Sequence, residues 1–144
     1  MKKQFLLILG LFFSLNFLTN FKAKAQTFPE LYNAMIEAAK AKDYAKAAEL
    51  GEKAEPNAEK TLGKDTEKLG SFYYNLAGFQ TQAMANSDVA NALKPEKSYL
   101  KTLAIRKKVL GDKHADYVKT LDKLATLYNA TGQKAKAEAL YKSL

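Results

Sequence analysis

The chain has 144 residues, a formal charge of +8, a single histidine and no cysteine. That length holds one domain, and the missing thiols exclude a disulfide framework and a lipid-modified cysteine anchor. With no nucleophile elbow, phosphate loop, dinucleotide fingerprint or zinc-binding helix either, the composition argues against an enzyme and calls for no cofactor.

Residues 1–25 read as a secretory signal peptide. Lys2 and Lys3 precede the apolar run FLLILGLFF, and Ala23-Lys24-Ala25 supplies a small-x-small cleavage site. The run is shorter than the roughly 20 residues a membrane span needs. Cleavage after Ala25 leaves an exported chain, periplasmic or secreted, with no membrane span; an uncleaved anchor is the alternative. Setting aside Lys2, Lys3, Lys22 and Lys24 leaves 19 basic and 15 acidic residues, a net charge of +4. These charges are interspersed and Arg106 is the only arginine, so nucleic acid is not an expected partner.

The remaining chain, 26–144, repeats itself. Thr61-Leu62-Gly63-Lys64-Asp65 is echoed 48 residues later by Val109-Leu110-Gly111-Asp112-Lys113, and Leu76-Ala77 falls on Leu124-Ala125 at the same offset. Tyr99-Leu100-Lys101-Thr102-Leu103 resembles Leu140-Tyr141-Lys142-Ser143-Leu144 at an offset of 41, which locates an insertion within 85–94. KDYAKAAEL near the start matches the KAKAEAL of the last helix. Three units result, at about 28–56, 66–110 and 114–144.

Each unit reads as two helices. Thr27-Phe28-Pro29-Glu30 is a capping box with proline in the first turn, and Leu31, Ala34, Met35 and Ala38 follow at helical spacing. Asp43 is the expected cap of the next helix, with Ala47, Leu50 and Ala54 facing inward and Pro56 as its stop. The second pair spans Thr66 to Met84 and Pro95 to Leu110, ended by Gly111. The third spans Ala115 to Ala130 and Gln133 to the end, broken by Thr131-Gly132. Nothing alternates with period two, so the expected fold class is all-α.

His114, flanked by Asp112 and Asp116, is the one constellation with a chemical look. Thr66 occupies the matching place in the second unit, and a group that threonine can replace reads as helix capping between units, not as a catalyst or metal ligand.

Leu121-x2-Leu124-Ala125-x2-Tyr128, then Gly132, Ala137-x3-Tyr141 and Leu144, resembles the tetratricopeptide repeat. The long second helix and the Leu-Gly-x-x-His turn resemble its kinesin light chain type, with units of about 42 residues. Gln80 stands where an aromatic is expected, and Met35 and Gly51 also depart from the pattern. The resemblance implies a right-handed superhelical solenoid and a protein-interaction role on the concave face formed by the first helices. On that face fall Tyr32, Asn33 and Ile36 in the first unit, and Ser71, Tyr74, Asn75 and Gly78 in the second. The third contributes Lys119, Asp122, Lys123, Thr126 and Asn129. By motif position Asn75, Lys119 and Lys123 match groups with which tetratricopeptide cochaperones clamp a carboxylate, whereas Tyr32 and Ile36 replace two others.

The expected partner is therefore a protein or peptide. Leu140, Tyr141 and Leu144 form an end that no polar capping helix shields, which implies self-association, a partner that covers it, or a longer protein whose activity lies in a further domain. The insertion at 85–94 is either a solvated loop or a partner contact at the groove edge.

Overall fold

The computed structural model describes residues 26–84 and 92–142; the proposed signal peptide, most of the insertion and Leu144 lie outside the described residues. Six helices account for the described chain: α1 (Phe28–Lys40), α2 (Tyr44–Leu62), α3 (Glu67–Ala83), α4 (Leu93–Leu110), α5 (Ala115–Ala130) and α6 (Lys134–Tyr141). Each packs on the next in sequence, α1 on α2 through α5 on α6, and no strand occurs among the described residues. The fold is all-α, a stack of helix pairs of tetratricopeptide-like architecture.

Local chemistry accounts for most helix ends. The Thr27 amide donates to the Glu30 carboxylate at 2.8 Å, as the capping box requires. Asp43 Oδ1 accepts from the Lys46 amide at 3.0 Å and opens α2. Gly63 and Gly111, both at φ 88°, terminate α2 and α4, a backbone conformation that residues with a Cβ seldom adopt.

The expected stop at Pro56 is wrong. Helix α2 runs through Pro56 to Leu62, so the first unit extends six residues beyond the expected boundary. Proline lacks the N–H that would bond the Glu52 carbonyl, at a cost of about 3 kcal/mol in a helix interior. Its ring lies on the exposed side of α2, while Ala58, two residues on and on the opposite side, is completely buried. Packing beyond the proline outweighs the local defect. A smaller difference is that α4 begins at Leu93, two residues before Pro95, which then occupies the first turn where a missing N–H costs nothing.

Two apolar clusters make up the core. The first unites Phe28, Leu31, Met35, Leu50, Phe72 and Leu76 from α1, α2 and α3. The second unites Ala77, Tyr99, Leu121, Leu124, Ala125 and Ala137 from α3 to α6. Helix α3 serves both, with Leu76 on one side and Ala77 on the other, so neither unit is buried without its neighbour. Of the residues expected to face inward on α1, Leu31 and Met35 are buried, and Ala34 and Ala38 half-buried at the margin.

The departures from the repeat pattern compensate one another. A Cβ on Gly51 would lie 2.7 Å from Leu76 Cδ1 and 2.9 Å from Met35 Sδ. The long Met35 side chain therefore occupies the space that glycine leaves. Gln80, in the place of an aromatic, donates from Nε2 to Glu52 Oε1 at 3.1 Å and accepts from Ser98 Oγ at 2.9 Å. A buried amide satisfied at both ends is tolerated where an unpaired one is not.

Candidate functional site: a groove between the first helices

His114 is the N-cap of α5: its Nδ1 accepts from the Asp116 amide at 3.2 Å. Thr66 does the same for α3, accepting from the Leu69 amide at 3.2 Å and donating to the Leu62 carbonyl at 3.0 Å. Two different side chains thus perform one local task at equivalent joints. His114→Ala is expected to lower stability by about 1 kcal/mol, read by a thermal melt, while His114→Asn keeps the cap. An unchanged melt accompanied by lost binding would assign the residue a role beyond capping.

Five of the concave-face residues come together. Tyr74, Asn75 and Gly78 of α3 face Lys123 and Thr126 of α5 across a groove of about 530 Å³, with Tyr99 of α4 also lining it. Tyr74 and Tyr99 meet edge to face, ring centroids 6.2 Å apart. Gly78 is open: an added Cβ would meet nothing within 4 Å. Lys119 stands beside the groove with its Nζ 5.7 Å from the centre of the Tyr74 ring. Among the described residues, neither Lys119 nor Lys123 has a carboxylate within ion-pair distance. Many lysines elsewhere do, as with Lys101 on Glu55 at 2.5 Å and Lys136 on Glu96 at 3.0 Å.

The other concave-face candidates are distributed differently. Tyr32 and Ser71 line a second, smaller depression of about 330 Å³ between α1 and α3. Tyr32 is also part of the core margin, 5.8 Å from Phe28 and 6.3 Å from Phe72 between ring centroids. Ile36 packs half-buried on the first cluster. Asn33 and Asn129 are exposed and line neither depression. Asp122 accepts from the Tyr141 hydroxyl at 3.2 Å, so it is tied to the last helix; desolvation and then this carboxylate push the Tyr141 phenol above its ordinary pKa.

Arg106 is the member that the sequence reading missed. Its guanidinium lies 4.6 Å from the centre of the Tyr74 ring, and Nη1 donates to the Asp116 carbonyl at 2.9 Å and Thr120 Oγ1 at 2.7 Å. It is 6 % exposed, and its buried Nε has no hydrogen-bond partner. Arg106 therefore joins α4 to α5 and supports Tyr74 from behind with a flat cation, a task a lysine cannot duplicate. The available signal was composition: one arginine among 23 basic residues.

Stacked helix pairs whose first helices enclose an open groove define a helical-repeat protein. A family model described as tetratricopeptide repeat matches residues 83–144, which supports a tetratricopeptide repeat protein, a class whose repeats generally serve protein–protein interaction. No curated protein matches the chain.

Proposed function

We propose that the protein is an exported, non-catalytic adaptor that holds an extended segment of a partner protein in the groove between α3 and α5. The observation that carries this reading is Gly78. Alanine would stabilise the middle of α3 by about 1 kcal/mol, and a Cβ there meets no obstacle. Glycine leaves the groove floor open at a standing cost to the helix, a combination expected where a ligand approaches the backbone. Lys119 and Lys123, with the Arg106 charge behind Tyr74, bias the site towards a segment bearing carboxylates. Tyr74 offers a broad face and a polar tip at low entropic cost.

The repeat subtype in this proposal is the kinesin light chain type, because α2 and α4 are long, at 19 and 18 residues. Export rests on the order of charged, apolar and small residues in 1–25. No helix among the described residues is long and apolar enough to cross a membrane.

Selection from a random peptide library tests the groove. Acid-bearing extended peptides should be enriched, and Lys119→Glu combined with Lys123→Glu should weaken their binding by about a hundredfold. Gly78→Leu should abolish binding while the melting temperature holds or rises. Peptides retained undiminished by both variants would rule the groove out.

A further inference from the structure

Away from the groove, α4 carries an unusual outer face. Leu93, Leu100 and Ala104 stand at i, i+7 and i+11, which at 3.6 residues per turn places them on one line. All three are exposed, Leu93 at 68 % and Leu100 at 47 %. The line forms a shallow channel of about 510 Å³ with Lys136 of α6 also lining it. Ordinary surface leucines are scattered singly; here they are aligned in a depression.

The channel is bordered by cations. Helix α4 contains Lys94, Lys97, Lys101, Lys107 and Lys108 against Glu96 alone, Arg106 being buried on the α5 side. Lys97 lies on the apolar line itself, one turn after Leu93, while Lys107 falls on one side of it and Lys108 on the other. Glu96 is largely withdrawn, its carboxylate accepting from Tyr128 at 2.8 Å and Lys136 at 3.0 Å. Lys101 is held by Glu55 at 2.5 Å and by the Tyr73 hydroxyl at 3.3 Å, and Lys94, Lys107 and Lys108 have acidic neighbours in Glu52, Asp112 and Asp65. Lys94, Lys107 and Lys108 are 63 to 68 % exposed in their side chains, and ion pairs at such a surface contribute little and exchange readily for a partner's carboxylates.

We propose that this face is a second docking surface, and that it takes an amphipathic helix with acidic flanks from a partner protein, laid along α4 in the channel beside α6. A helix ridge matches an apolar line one residue wide, and acidic flanks match lysines on both sides. A bilayer surface would call for a broad apolar face with several large residues, where α4 offers two leucines and an alanine. The surface stands independently of the groove between α3 and α5, and together the two would let the protein bridge two partners.

The test uses two synthetic helical peptides of about 18 residues, sharing a leucine stripe and carrying glutamate or lysine along its flanks. Each is titrated into the isotope-labelled protein and followed by amide chemical shifts. The glutamate peptide should perturb α4 and α6 around Leu100 and bind at least about tenfold more tightly than its lysine twin. Leu93→Ser with Leu100→Ser should remove that binding without moving the melt, since both side chains are exposed, and Lys123→Glu in the groove should leave it intact. Equal affinity for the two peptides, or perturbations confined to α3 and α5, would overturn the proposal. So would leucine-dependent association with phosphatidylglycerol vesicles in place of the peptide, or a dimer in sedimentation that Leu100→Ser dissolves.

Discussion

Phe72→Ala is expected to remove about 3–5 kcal/mol of stability and to lower the melting temperature by roughly 10–20 °C. Phe72 is completely buried where α1, α2 and α3 meet. Its ring centroid lies 5.4 Å from Phe28, 5.2 Å from Tyr73 and 6.3 Å from Tyr32. The neighbouring rings meet Phe72 edge-on or tilted and are fixed to α1 and α3, so they cannot readily collapse into the vacated space, which places the cost towards the upper end. A domain of this size has about 5–15 kcal/mol in total, so the variant stands near the limit of folding. A thermal or urea melt reads the effect directly. A loss below about 1 kcal/mol would show that α1 does not pack on α3 as described.

Pro56→Ala should act in the opposite direction, raising stability by about 2–3 kcal/mol. The substitution restores an N–H one turn after the Glu52 carbonyl and removes the ring that crowds it. Pro56 is exposed, so no packing is lost with it. The melting temperature should rise by roughly 10 °C. Were residues 57–62 a loop, the same change would fall within about 0.5 kcal/mol of zero, so the melt decides between the two descriptions of α2.

Pro56 also shows how the sequence misled. A local rule, that proline ends helices, was set against a longer-range one, the echo of Thr61-Leu62-Gly63 in Val109-Leu110-Gly111. The echo was the better guide, because both glycines close a second helix at φ 88°. Where a unit recurs, matching positions inherit matching backbone, and a single breaker costing a few kcal/mol is overridden by the packing around it. His114 was legible for the same reason: its partner Thr66 exposed it as a cap.

The groove was half legible. Helical spacing set Tyr74, Asn75 and Gly78 on one side and Lys123 and Thr126 on the other, and the structure brings them together. Asp122 and Tyr32 share the same nominal face, yet one is tied to Tyr141 and the other joins the aromatic core margin. Spacing places a Cβ on a helix face but leaves open where a long side chain finds its partner.

By itself, the sequence determined the all-α class, the pairing of helices and the caps at Thr27, Asp43, Thr66, Gly111 and His114. These follow from interactions within a few residues or from periodicity along one helix, and such interactions are written locally. Tertiary structure alone decided that α2 continues past Pro56, that Met35 fills the space over Gly51 and that Gln80 is satisfied between Glu52 and Ser98. It also decided that Arg106 lies buried behind Tyr74 and that Leu93, Leu100 and Ala104 remain uncovered beside α6. Each of these depends on a side chain from another helix, at a distance that sequence separation does not encode.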